Sequence, residues 1–153
     1  MQVELLLTIL TILLLGFLFS TALIDVTSGF LPDVCTVAIV ILALCIAFLT
    51  HSLASSLLGA VVSFGVFGSQ WMLSRGRAIG TGDIFFASAL GLWLGFSGTV
   101  FMIFFCYAIG AIVVGVLLLL QKISRKQRIV FGPFLAVGAF LSYVDVQQLF
   151  VLL

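Results

Sequence analysis

Five acidic side chains are the residues of this sequence best suited to make or break a bond: Glu4, Asp25, Asp33, Asp83 and Asp145. Asp25 and Asp83 each border an apolar run, and they are candidates to meet. Two carboxyl groups held close together cannot both ionise easily, so they share a proton. The charged group can then take a proton from water while the neutral group donates one to the attacked carbonyl. Such a pair titrates as a unit, so the acid and base roles stay unassigned.

Other reaction chemistries find no support in the residue pattern. No nucleophile stands beside a base, the single histidine (His51) is expected in a connection on the opposite side of the membrane from Asp25 and Asp83, and no glycine-rich phosphate loop with a lysine occurs. Cys35, Cys45 and Cys106 stand alone in apolar stretches, so we expect small buried hydrophobic residues rather than disulfides or zinc ligands. The sequence therefore predicts no metal and no cofactor.

Asp83 closes the short segment Gly80-Thr81-Gly82-Asp83, which precedes an apolar run. The two glycines have no side chain, so backbone or substrate can approach closely there. An Asp at the start of a helix also accepts hydrogen bonds from N–H groups that lack a partner within the helix. The segment alone therefore leaves two interpretations open, a helix cap and a reactive carboxylate.

Asp25 begins the polar segment between the first two apolar runs, and this segment ends at Pro32 and Asp33. Pro32 fixes the turn before the second helix. Asp33 suits the first turn of that helix, where a negative charge is favoured. We expect Asp33 to stabilise the helix start, and the alternative is a supporting polar role near Asp25.

The elements that must hold these acids are membrane helices. Of the 153 residues, 64% are hydrophobic and only 7% are charged, and the mean hydropathy is +1.47. A soluble domain carries about 25% charged residues, so this chain could not cover a water-facing surface. The composition excludes a secreted soluble protein, a nucleic-acid binder and a disordered tail. It makes the lipid bilayer the expected partner and predicts no oligomeric state.

Polar residues, glycines and prolines divide the chain into six apolar segments, at 3–24, 34–50, 53–73, 84–95, 99–120 and 131–149. A helix needs about 20 residues to cross the hydrocarbon, and the fourth segment is too short. One of its ends must be recessed, and at the Asp83 end this would put the carboxylate in a water-filled notch. We predict an all-α membrane protein with six transmembrane helices and a single domain, 1–153.

The basic residues predict how the helices are oriented. All six lie in two clusters, Arg75 with Arg77 and a second group at 122–128. If all six segments cross, both clusters lie on one side, and the connections on the other side contain no Lys or Arg. The positive-inside rule assigns the basic side to the cytoplasm. Asp25 and Asp83 are expected on that side.

Three blocks of this sequence together resemble the type IV prepilin peptidases, membrane aspartic proteases of the GxGD class. Asp25 followed by Pro32 and Asp33 resembles the first aspartate block of that family. The run GTGDIFFASALGLWLG at 80–95 resembles the second block, and FGPFLA at 131–136 is similar to a late block. The three blocks occur in the family's order and on one predicted side of the membrane.

The resemblance implies an aspartic-type endopeptidase that cleaves the basic leader from prepilin-like substrates at the cytoplasmic face of a bacterial inner membrane. It implies that Asp25 and Asp83 are catalytic. It also implies loop-shaping or substrate-binding roles for Gly80, Gly82, Pro32, Asp33, Gly132 and Pro133. The residues themselves predict a proline near the first turn of the last helix, preceded by a permissive glycine. No methyltransferase activity is expected, because the zinc-binding cysteine tetrad of that domain is absent from this sequence.

Two positions depart from the family pattern. Phe85 stands where a lysine is common, and Arg77 stands where a glutamate is frequent; both bear on loop geometry and substrate choice. One alternative is a non-enzymatic transporter-like or assembly protein whose aspartates cap helices. Another is an intramembrane protease of the presenilin or signal peptide peptidase type, but that group has a tyrosine where Ile24 precedes Asp25.

Overall fold

The protein is described by a computed structural model covering residues 2–77, 79–121 and 131–152, with side chains placed as far as Asp145. Within those residues all regular structure is helical, as the composition predicts. The five helices are α1 (Gln2–Ser28), α2 (Asp33–Leu49), α3 (Leu53–Ser74), α4 (Thr81–Leu119) and α5 (Gly132–Leu152). The basic group at 122–128 lies outside the described residues.

The longest helix, α4, folds back on itself at Gly95. This residue has φ 69° and ψ −175°, a conformation that essentially only glycine adopts. Thr99 Oγ1 lies 3.4 Å from the carbonyl oxygen of Gly91, whereas positions so far apart in a straight helix are separated by about 12 Å. α4 is therefore a helical hairpin whose halves lie at 81–94 and 96–119.

Contacts with α3 show that the two halves of α4 run in opposite directions. The first half runs antiparallel to α3, and the second half runs parallel to it. In order along α3, the contacts are Ser55 with Phe96, Gly59 with Gly91, Phe64 with Phe85 and Phe67 with Tyr107.

The core lies around α4, which contacts α2, α3 and α5, while α1 contacts α2 and α5. The largest side chains with no exposed surface are Phe67, Phe86, Leu14, Leu18, Ile39, Leu90, Met102 and Leu135. Large apolar side chains also cover the outside of the described helices, for example Leu23, Phe48, Val61 and Ile112. An exterior this apolar is suited to lipid rather than to water.

Three helices, α1, α3 and α4, are long and apolar enough to cross a membrane, and α2 and the 132–145 part of α5 are shorter apolar helices. The hairpin divides α4, so the six predicted segments correspond to six helical segments. The predicted connection at 96–98 is wrong, because the chain reverses at the single residue Gly95. The predicted start of the fourth segment at Ile84 is also wrong, because Thr81, Gly82 and Asp83 form the first turn of α4.

The two ends of the bundle carry different connections. The α1–α2 and α3–α4 connections and Phe131, which precedes α5, meet at one end and line a common cavity. The α2–α3 connection and Gly95 lie at the other end, where the Phe96 N–H donates a hydrogen bond to Ser55 Oγ at 3.1 Å. This grouping is the one that alternation of six segments predicts.

The cysteines are only partly where the sequence places them. Cys106 is buried, as expected for a small hydrophobic residue, and Cys35 is half-buried. The expectation is wrong for Cys45, which is exposed on α2. In a bundle with an apolar exterior, an apolar stretch does not tell which of its residues face inward.

Candidate active site

Asp25 lies in the last turn of α1 and is only 4% exposed. Its Oδ2 accepts a hydrogen bond from the backbone N–H of Gly132 at 3.0 Å. Gly132 is the first residue of α5, so its N–H has no acceptor within that helix. Asp25 therefore caps a helix that begins 107 residues later in the chain.

Asp83 lies in the first turn of α4 and is 9% exposed. Its Oδ2 accepts a hydrogen bond from the Gly80 N–H at 3.1 Å, which is the reciprocal bond of a capping box. Its other oxygen, Oδ1, is buried and has no hydrogen-bond partner among the described residues. The capping and reactive interpretations of Asp83 are thus compatible, because one oxygen caps the helix and the other makes no hydrogen bond among the described residues.

The two aspartates line one cavity of about 510 Å³, at the end of the bundle that contains the α1–α2 and α3–α4 connections and Phe131. The structure therefore brings together the two carboxyl groups that the sequence analysis paired. The remaining lining residues are Gly29, Phe30, Leu31, Asp33, Gly76, Arg77, Ile79, Gly80, Thr81, Gly82 and Phe131.

The other residues singled out in the sequence divide into two groups. Gly80, Gly82 and the exposed Asp33 line the cavity. Pro32 and Pro133 are not among the described residues that line it. Pro32 is the N-cap residue of α2, with φ −69°, and Pro133 lies in the first turn of α5. Both prolines thus shape helix starts, as expected from their fixed φ.

The two departures from the family pattern have different surroundings. Arg77 is exposed and lines the cavity. Phe85 is 61% exposed, and its ring centroid lies 6.5 Å from that of Phe64. Phe85 lines a neighbouring groove between α2, α3 and α4, and Asp33 lines both the groove and the cavity.

The sequence analysis did not predict the contacts of Gly132 and Phe131 at this site. The sequence predicts Gly132 as a permissive residue before Pro133, but not as a hydrogen-bond donor to Asp25. Phe131 lines the cavity and packs its ring against those of Phe67 and Tyr107. The feature that could have indicated the Gly132 contact is a glycine beside a proline at a helix start, where an N–H without a partner in the helix can come close to another group.

Comparison with known proteins gives a consistent result. The sequence model of the type IV leader peptidase family matches residues 12–120, which include both aspartates. The leader peptidase HopD of Escherichia coli is 35% identical over 124 residues, covering 76% of this chain and 79% of that protein. No solved structure matches the chain.

Longer relatives match over part of their length. The prepilin leader peptidase/N-methyltransferase of Neisseria gonorrhoeae is 29% identical over 143 residues, covering 86% of this chain and 47% of that protein. The protein of the same name in Burkholderia pseudomallei (strain 1026b) is 32% identical over 127 residues, covering 79% of this chain and 41% of that protein. This chain thus spans less than half the length of those two relatives. With the family model and the HopD match, these findings show that the chain belongs to the type IV leader peptidase family.

Proposed function

We propose that this chain is a membrane aspartic endopeptidase that removes the leader peptide from prepilin-like substrates. The observation that carries the proposal is the convergence of Asp25 and Asp83 on one cavity. The names of the relatives, a leader peptidase and prepilin leader peptidases, support the substrate class. The N-methyltransferase activity in the names of the longer relatives is not part of the proposal.

In the proposed reaction one aspartate starts charged and the other neutral. The charged carboxylate takes a proton from water, and the oxygen of that water bonds to the scissile carbonyl carbon. The neutral carboxyl group gives its proton to the carbonyl oxygen. When the tetrahedral intermediate collapses, the C–N bond breaks and the leaving nitrogen takes the proton drawn from water. A hydroxyl proton of the intermediate returns to the second aspartate, which restores the starting pair.

The polar groups around the pair support this chemistry. Each aspartate receives one backbone N–H, from Gly132 or from Gly80, which restricts rotation of both carboxyl groups. The Oδ1 of Asp83 is buried and unpartnered, so in this proposal a local opening of the cavity exposes it to a water molecule or a substrate carbonyl. Which aspartate acts as acid and which as base stays unassigned in this proposal.

We also propose that the six helical segments each cross the inner membrane, with the cavity toward the cytoplasm. Arg75 and Arg77 lie in the α3–α4 connection beside the cavity, whereas the connections at the other end contain no Lys or Arg. This charge distribution follows the positive-inside rule. The first half of α4, at 81–94, is about 21 Å long at the helical rise, which is less than the hydrocarbon thickness of about 30 Å. A recessed start of α4 would let water reach Asp83 from the cytoplasmic side.

The test is cleavage of prepilin-like peptides by the purified protein in detergent or liposomes, with the products weighed by mass spectrometry. We expect Asp25→Asn and Asp83→Asn each to lower the rate at least about 100-fold, because each removes one partner of the acid/base pair. The matched control is Asp145→Asn. Asp145 lies on α5 about 20 Å from Gly132 at the helical rise and should keep its full rate.

Two results would contradict the proposal. One is leader removal at an undiminished rate by either aspartate variant. The other is a wild-type protein that is folded and cleaves none of a broad panel of prepilin-like peptides, which would favour the aspartates as structural caps in a non-enzymatic protein.

A further inference from the structure

We infer that Gly132 is a positioning residue that holds the Asp25 carboxylate in its reactive orientation, an inference that rests on the proposed role of Asp25. The juxtaposition that carries it is the start of α5 against the end of α1. Gly132 donates its backbone N–H to Asp25 Oδ2 at 3.0 Å. The contact is buried, so water does not compete for this hydrogen bond.

Among the first N–H groups of α5, only that of Gly132 is free to donate to Asp25. Pro133 has no N–H to give. The N–H groups of Phe134 and Leu135 both donate to the carbonyl oxygen of Phe131, at 3.1 and 3.2 Å. The Gly132 N–H is therefore the donor of this turn that reaches outside the helix, and Asp25 is its acceptor.

Space, rather than backbone conformation, is the reason for glycine at this position. Gly132 is not among the residues with positive φ, so a side chain would not strain the backbone. A Cβ added here would overlap Asp25 Oδ2 and lie 3.0 Å from Asp25 Cγ. Because the obstructed atoms belong to a short side chain, the overlap is relieved when the carboxyl group rotates away. An alanine at position 132 therefore displaces the Asp25 carboxyl group, and its remaining contact of 3.3 Å with Asp25 Cβ needs only a small shift of the two helices.

The two aspartates are held by different kinds of anchor. Asp83 is held by Gly80, three residues earlier in the same turn, and a Cβ at Gly80 would lie 3.3 Å from Asp83 Oδ2. Asp25 is held by a residue of another helix, and the space there admits no Cβ. The placement of Asp25 thus depends on the docking of α5, whereas that of Asp83 is local.

The first experiment measures kcat and KM for Gly132→Ala with a prepilin-like peptide. We expect kcat to fall about 100-fold, as for a misplaced catalytic group, with KM changed less than about twofold. Two controls separate position from packing. A Cβ at Gly138 on the same helix would lie 2.8 Å from the Met102 carbonyl oxygen, so Gly138→Ala should lower Tm but keep kcat per folded molecule. Gly115 has nothing within 4 Å, so Gly115→Ala should change neither.

The second experiment measures Tm in detergent and needs no activity. We expect the Tm loss caused by Gly132→Ala to disappear in an Asp25→Ala background, where the obstructing carboxyl group is absent. If Gly132→Ala alone does not fold, Asp25→Ala must restore folding. An equal Tm loss in both backgrounds, or a normal kcat for Gly132→Ala, would overturn the inference. If the wild-type protein cleaves nothing, the proposed function fails, yet the Tm comparison still decides whether Gly132 sets the place of Asp25.

Discussion

Glycines serve opposite purposes at the two ends of this bundle. At the cavity end, Gly80 and Gly132 bring a backbone N–H against a carboxylate. Toward the other end, Gly59, Gly91 and Gly95 bring backbone against backbone. A Cβ added at Gly59 would lie 2.7 Å from the carbonyl carbon of Gly95. A Cβ added at Gly91 would lie 2.8 Å from the carbonyl carbon of Gly59.

The two ends differ in whether the group next to the glycine can move. A carboxyl group can rotate away from an added methyl group, at the expense of its orientation. Two helix backbones in contact cannot separate without shifting the whole of α3 and α4. We therefore expect substitutions at the cavity end to affect the reaction, and substitutions at the α3–α4 contact to affect the fold.

The largest effect on stability is expected from Gly59→Ala. The added Cβ is enclosed by backbone atoms of Gly91 and Gly95, so the overlap should lower the free energy of unfolding by about 3 kcal/mol or more. The measurement is thermal unfolding in detergent, together with the yield of monodisperse protein. Gly65→Ala is the matched control, because Gly65 lies on the same helix with nothing within 4 Å. A Gly59→Ala protein as stable as Gly65→Ala would break the comparison.

A smaller loss of stability is expected from Gly95→Ala. With φ 69° and ψ −175°, an alanine at the hairpin tip should cost about 1–3 kcal/mol in backbone strain. The added Cβ would also lie 2.8 Å from Ser55 Oγ. Ser55→Ala removes that overlap and also the hydrogen bond from the Phe96 N–H, so the double variant is compared with Ser55→Ala alone by chemical or thermal unfolding, and the difference reports the strain. A double variant as stable as Ser55→Ala alone would show that the backbone conformation is not the cause.

The smallest change in stability is expected from Gly80→Ala at the cavity end. Gly80 has φ −77°, which alanine adopts without strain, and the nearest atom to its Cβ is Asp83 Oδ2 at 3.3 Å. We expect the free energy of unfolding to change by less than about 0.5 kcal/mol. The cleavage rate should fall, because Asp83 must shift, but less than for Gly132→Ala. A Gly80→Ala protein that unfolds as readily as Gly59→Ala would contradict the distinction between the two ends.

Much of the fold follows from apolar segments and their punctuation. The predicted segments 3–24, 34–50 and 53–73 agree with α1, α2 and α3 within a few residues, because a helix satisfies all the backbone hydrogen bonds of a long apolar run within the run itself. The reversal of α4 was expected, but its form was not. A connection of several residues is the usual expectation, and only the conformation of Gly95 shows that one residue is sufficient.

The sequence predicts that Asp25 and Asp83 lie at the same end of the bundle, but it does not predict their hydrogen-bond partners. Alternation of segments is enough to bring Asp25 and Asp83 to one end of the bundle. The bond from Gly132 to Asp25 depends on the rotation of α1 and α5 about their axes, and an apolar helix in lipid carries no polar stripe that would reveal this rotation. For the same reason the sequence could not tell that Cys45 faces outward.

The order of synthesis determines when the hydrogen bond from Gly132 to Asp25 can form. Asp25 and Asp83 leave the ribosome before Gly132 does, so for part of its synthesis the chain contains both aspartates without the N–H that holds the first. Under the proposed role of Asp25, a chain whose last helix has not yet packed against α1 would lack the N–H group that orients this carboxylate.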